Sequence, residues 1–209
     1  MHIPDGFLDT KTWVTLGIIS GFAVGIASRM ASKKIGEKQI PMMGVMAAFI
    51  FAAQMLNFPV AGGTSGHFMG GVLAAVLLGP SVGVLIMTAV LAVQCLLFQD
   101  GGLTALGANI FNMGVIGSVL GYYIYFAFKK VCNRTISAFL ASLVSIVIAA
   151  SVCAVELAIS GTVPLKVALP AMAGVHVLIG IGEGLITIAV LNFIAKVRPD
   201  LLEISGGVK

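Results

Sequence analysis

Residues 137–159, SAFLASLVSIVIAASVCAVELAI, hold a single charged side chain, Glu156, in 23 positions. At about 1.5 Å per residue such a helix is roughly 34 Å long, enough to cross a hydrocarbon core of about 30 Å. Comparable apolar runs occupy 12–31, 41–57, 68–79, 81–98, 104–128 and 170–195. The sequence therefore predicts an all-α integral membrane protein of about seven transmembrane helices. The composition agrees, with 59% hydrophobic and 10% charged residues against roughly 25% charged in soluble domains. Seven spans use most of 209 residues, so 1–209 is read as one transmembrane domain without a second soluble unit. The run 68–79 is too short to span unless it begins near Gly63, which makes its start the weakest boundary.

Charge sets the expected orientation. If the runs alternate in direction, Arg29, Lys33, Lys34, Lys38, Lys129, Lys130, Arg134, Lys196, Arg198 and Lys209 share one side, and only Lys11 and Lys166 lie opposite. The positive-inside rule then puts the N-terminus outside and the C-terminus in the cytoplasm, and an even number of spans would destroy the segregation. The basic residues are thus orientation signals rather than a nucleic-acid surface. Cys95, Cys132 and Cys153 are odd in number and widely spaced, so they are read as packing residues rather than a disulfide framework or CxxC metal site. Gly17, Gly21 and Gly25 recur at four-residue spacing beside Ala23, Ala27 and Ala31, two smooth stripes suited to packing within the chain or to docking another membrane subunit.

Polar residues gather toward the expected outer ends: Gln54, Asn57, Gln94, Gln99, Asp100, Asn109, Asn112, Glu156 and His176. Intramembrane polar groups are costly unless they face one another or a cavity, so a site opening outward is expected. The connection VAGGTSGHFMGG, 60–71, surrounds His67 with five glycines and should form a folded outer loop, 58–70, rather than a continuous helix.

The chain opens MHIPDGFLD, with no basic region of the kind that begins a removable secretory leader. Segment 1–11 lies on the same outer side as His67. The amine of Met1, the amide nitrogen of His2 and the His2 Nδ1 can close a five-membered and then a six-membered chelate ring in one plane, and His67 can supply a fourth nitrogen. An all-nitrogen square-planar set suits Ni(II) or Cu(II) better than tetrahedral Zn(II) or oxygen-seeking Mg(II). Met1, His2 and His67 are therefore the candidate metal ligands. Metal affinity should fall on acidification through the ordinary range of an α-amine, about 8, and an imidazole, about 6.5, because both must shed protons to coordinate.

MHIPDGFLD, SGHFMGGVLAAVLLGP and LLFQDGGLTALGANIFNMG resemble, in order, the nickel/cobalt substrate-binding membrane subunit of energy-coupling-factor (ECF) transporters, the NikM/CbiM family. The resemblance covers recognisable motifs through about residue 120, with the later helices agreeing in number and hydropathy. It implies Ni²⁺ or Co²⁺ as transported substrate, no organic cofactor, and Met1, His2 and His67 as the metal-holding residues. Implied partners are a transmembrane coupling protein and two cytoplasmic ATP-binding subunits, with a small accessory membrane subunit as an optional addition. The implied location is the prokaryotic cell membrane, and the IPDG continuation leans toward nickel-type members. The chain carries no GxxxxGK[ST] phosphate loop, and no paired carboxylates or HExxH pattern suggest an enzyme.

Four further points follow from the residues. His176 and Glu183 are seven apart, share a helix face and are read as interhelical hydrogen-bonding groups, with a proton relay or second ion site as the sharper alternative. Glu156 is read as interfacial. Asn109, Asn112, Gln99 and Asp100 could orient the N-terminal segment or His67. The competing function is a self-sufficient proton-coupled metal carrier using His176, Glu183 and Glu156.

Overall fold

The computed structural model describes residues 1–33, 35–37, 39–60 and 64–203. Lys34, Lys38 and Lys209 of the charge argument, and Gly62 and Gly63 of the glycine-rich connection, lie outside the described residues. The order is α1 (Thr10–Ser32), α2 (Gln39–Gln54), β1 (Asn57–Val60), β2 (Thr64–His67), α3 (Gly71–Leu78), α4 (Pro80–Phe98), α5 (Leu106–Asn109), a π-helical stretch Ile110–Leu120, α6 (Gly121–Lys129), α7 (Arg134–Ile159), α8 (Leu165–Val197) and α9 (Asp200–Glu203). α5, the π-helical stretch and α6 are one continuous rod, Leu106–Lys129.

Among the described residues, five helices are long and apolar enough to cross a membrane: Thr10–Ser32, Pro80–Phe98, Leu106–Lys129, Arg134–Ile159 and Leu165–Val197. α2, with 16 residues, is shorter at about 24 Å. The expected third crossing is different in kind. Its helix has 8 residues, about 12 Å, because the glycine-rich chain before it is extended as β2 and turns at Gly70 with φ +83°. β1 and β2 form an antiparallel hairpin in which Asn57 pairs with His67 and Val60 with Thr64. Protein encloses β2 and all eight residues of α3, whereas Asn57, Phe58 and Pro59 of β1 are exposed.

Local signals explain the helix ends. Asp9 caps α1 by accepting from Thr12 N at 3.2 Å, and Asn133 caps α7 by accepting from Ile136 N at 2.9 Å. Pro80 opens α4, where a missing N–H costs nothing. Gly71 lets α3 lie directly on the rod, since a Cβ there would come within 2.7 Å of the Gly117 carbonyl carbon.

The two stripes of α1 have parted company. Ala27 and Ala31 are buried in the bundle, while positions 17, 21 and 25 have open space where a side chain would project. The backbone of Gly17 is still used, as Gly107 lies so close that a Cβ would meet Gly17 N at 2.8 Å.

Candidate metal centre

Residues 1–9 form a strap that enters the bundle beside the hairpin. Met1, His2 and Ile3 are all buried, although they precede the first helix. Ile3 is clamped by Asn109, which accepts from Ile3 N at 2.8 Å and donates Nδ2 to Ile3 O at 3.2 Å. The Ile3 carbonyl also accepts from Gly102 N at 2.8 Å. Asp5 then accepts from Leu103 N at 3.0 Å and from Thr104 N at 2.7 Å, and from the Thr104 hydroxyl. These bonds hold its carboxyl below the ordinary range, the Thr104 hydroxyl contributing most. Gly102 is required by this approach, because a Cβ would fall 2.6 Å from the Pro4 carbonyl carbon. Farther along, the Thr162 hydroxyl donates to Phe7 O and Ser160 Oγ to Asp9 Oδ1.

This strap brings Met1, His2 and His67 together. The Met1 amine donates to the Ser65 carbonyl, lies 3.2 Å from Ser65 Oγ and stands 2.8 Å from His67 Nε2. The His2 amide donates to Ser65 Oγ at 3.2 Å. The two imidazoles are side by side, with centroids 4.5 Å apart and planes inclined by 27°. Both tautomers are set by their outer nitrogens. His67 Nδ1–H donates to Phe68 O at 2.7 Å, leaving an Nε2 lone pair toward Met1. His2 Nε2–H donates to Gln94 Oε1 at 3.0 Å, leaving an Nδ1 lone pair with no hydrogen-bond partner among the described residues.

That lone pair is 3.3 Å from Asp100 Oδ1, so two acceptors face one another and need a positive charge between them. A cation resolves such a contact. Burial pushes the Met1 amine down to about 5 and, with the amine's charge, His2 down to about 3. Burial raises Asp100 instead. At neutral pH the nitrogens therefore present lone pairs.

The size is also suitable. Nitrogens on adjacent corners of a square with bonds of about 2.0 Å stand about 2.8 Å apart, and the Met1 amine and His67 Nε2 are 2.8 Å apart. Among the described residues no group of three His, Cys, Asp or Glu side chains could hold a metal, so a site here must draw on backbone and terminal nitrogens.

Other expected residues have different duties. Asn112 does not reach the strap; its Nδ2 donates to Glu156 Oε2 at 2.7 Å. Glu156 is correspondingly buried within the protein. Gln99 ends α4 in the left-handed conformation, φ +56°. Glu183 is a hydrogen-bonding group as expected, but toward backbone: it accepts from Met69 N at 2.8 Å and Gly70 N at 3.0 Å, while Gln54 Nε2 donates to Met69 O at 2.7 Å. Together they fix the segment that follows His67. Ser65 was not singled out by sequence reasoning, since a serine among glycines carries no pattern. Gln94 was visible only as an amide in an apolar run, without its partner.

A family model for the cobalt uptake substrate-specific transmembrane region, CbiM, matches residues 2–201. The chain belongs to the CbiM family. This CbiM-family chain is 45% identical over 205 residues to a putative fused nickel transport protein NikMN of Archaeoglobus fulgidus, covering 97% of this chain and 68% of that one. It is 32% identical over 206 residues to the cobalt transport protein CbiM of Clostridioides difficile, covering 94% and 82%. A crystal structure described as a truncated transition metal transporter matches with a TM-score of 0.89 at 35% identity, covering 94% of this chain and 99% of that one. The CbiM-family chain is a multi-pass membrane protein and a component of metal uptake. These relatives are named as transport proteins.

Proposed function

We propose that this chain captures a transition-metal ion outside the cell, Ni²⁺ in preference to Co²⁺, and delivers it inward as the substrate-binding subunit of an ATP-driven ECF transporter. The ion is held by the free Met1 amine, the deprotonated His2 amide, His2 Nδ1 and His67 Nε2. The observation that carries this reading is the convergence of those four nitrogens, each imidazole already in the tautomer that a metal needs. The His2 amide gives up a proton on binding, and Ser65 Oγ already accepts that N–H. Asp100 balances the remaining positive charge.

In this reading the chain crosses the membrane seven times with the strap outside, the short α3 and the extended residues before it together making one passage. The planar nitrogen set favours nickel, as does the likeness to a relative named for nickel transport. The transmembrane coupling protein and two ATP-binding subunits supply the energy, and the open stripe at Gly17, Gly21 and Gly25 offers the coupling protein a smooth face. A stand-alone proton carrier is less well supported, because Glu183 is engaged by two backbone amides and Glu156 by Asn112, which does not join them into a relay.

The test is metal titration of the purified chain by visible absorption, in the native-start protein, in His67→Ala and in a variant with one residue added before Met1. The native start should give a yellow planar Ni²⁺ complex and both variants should lose it. An extended variant that binds with unchanged affinity would refute the amine as a ligand.

A further inference from the structure

Only two imidazole nitrogens are among the buried side-chain atoms that lack a hydrogen-bond partner among the described residues: His2 Nδ1 and His176 Nε2. The first belongs to the nitrogen set above. The second lies on α8, where Met172, His176, Gly180 and Glu183 are buried along one face.

That face runs in step with the segment that carries His67. Thr64 Oγ1 donates to Met172 Sδ at 2.8 Å. Gly66 presses on the next turn, where a Cβ would meet Val175 Cγ1 at 3.4 Å. Met69 N and Gly70 N donate to Glu183 at 2.8 and 3.0 Å. Five steps along the chain from 64 to 69, the first three within β2, cover at most about 16 Å, and eleven helical steps from 172 to 183 cover about 16 Å. On these scales His67 is about 10 Å beyond Thr64 and His176 about 6 Å beyond Met172, so the two are level to within one helical turn.

His176 is fully buried, and its Nδ1–H donates to Met172 O at 2.7 Å. Its Nε2 is therefore a lone pair in the protein interior, an arrangement that costs free energy unless some state of the molecule uses it.

We propose that His176 Nε2 is an entering ligand that takes hold of the ion as it joins or leaves the planar nitrogen set. This inference rests on the metal-binding reading above. A square-planar ion exchanges ligands by admitting a fifth donor from off the plane. In release, the metal–Nε2 bond of His176 forms as a planar metal–nitrogen bond breaks, the His2 amide takes a proton from water, the ion passes from Nε2 to the chelator, and no electrons change hands. Loading is the reverse.

The test is stopped-flow absorption of Ni²⁺ loading, and of release to a chelator, with the purified full chain in lipid nanodiscs. In His176→Asn the amide NH₂ keeps a donor toward Met172 O and the Nε2 lone pair is gone. Loading and release should both slow by about tenfold or more, the rate equivalent of about 1.4 kcal/mol of barrier. The equilibrium Kd should stay within about twofold, since both rates move together. A role in packing alone would instead change the Kd or the planar absorption band. Wild-type rates in His176→Asn, or a slower release matched by tighter binding, overturn the proposal. If that variant does not fold, His176→Leu, which also lacks the lone pair, is read by the same criteria. Wild-type chain that forms no planar complex at all overturns the metal-binding reading and this inference with it.

Discussion

Replacing Gln94 by alanine tests whether the tautomer of His2 is held from behind. Gln94 Oε1 receives the His2 Nε2–H at 3.0 Å, and both residues are buried. Without that acceptor the N–H has no compensation inside the protein, a cost of about 1–3 kcal/mol. The ring can escape the cost by moving its proton to Nδ1, where Asp100 Oδ1 stands 3.3 Å away. That movement places a proton on the nitrogen required for the metal. Removing the partner that orients a metal-binding histidine typically weakens metal affinity by about 10–100-fold, which agrees with about 1.4–2.8 kcal/mol at a tenfold per 1.4 kcal/mol. Isothermal titration of Gln94→Ala with Ni²⁺ should show a loss of that size, with the planar absorption band intact at saturation. Gln94→Glu should recover most of the affinity, because a carboxylate accepts the same N–H. An affinity within twofold of wild type in Gln94→Ala would refute the reasoning.

Other consequences can be measured in the same way. Gly102→Ala drives a methyl group to 2.6 Å from the Pro4 carbonyl carbon, and overpacking of about 1–3 kcal/mol should lift the strap and weaken nickel binding by about 5–150-fold, read by titration. Asp5→Asn leaves the metal nitrogens untouched but weakens the clasp on Leu103 and Thr104; amide hydrogen exchange at residues 3–5 should accelerate, while the absorption band stays the same. The pH dependence moves to lower pH than free-peptide values suggest. With the Met1 amine at about 5 and His2 at about 3, neither holds a proton at neutrality, so only the amide proton is released between pH 8 and 5. Affinity should fall tenfold per unit in that range and more steeply below about pH 5; a break near pH 8 or 6.5 would contradict the burial. In the metal-free protein the pKa values of Met1 and His2, lowered by burial, make the unfolded chain bind more protons at these two groups, so their contribution to stability should decline from pH 8 toward 5, as measured by comparing thermal unfolding of His2→Ala with the parent chain.

The sequence made the long helices plain because apolar runs such as 137–159 need no partner to be recognised. It also marked residue 67 as a break in helix, since glycine density limits regular structure wherever it occurs. What it could not convey was depth. The run 68–79 looked like a shortened span because hydropathy does not distinguish residues facing lipid from residues such as Leu73 and Leu77 that are enclosed by protein. Glu156 likewise gave no sign in the sequence of its partner, Asn112. The meeting of Met1, His2 and His67 could be argued from topology alone, but the supporting atoms could not. Ser65 and Gln94 act through specific distances, and Asn109 was one of several plausible amides until it alone bracketed Ile3.

The strap has almost no local bonds. Its earliest residues are secured at Ser65, Gln94, Gly102 to Thr104 and Asn109, and its later ones at Ser160 and Thr162. During synthesis residues 1–9 must therefore wait until Asn109, and then Thr162, have been made. The strap's long-range bonds can form only when parts distant in the chain close around it.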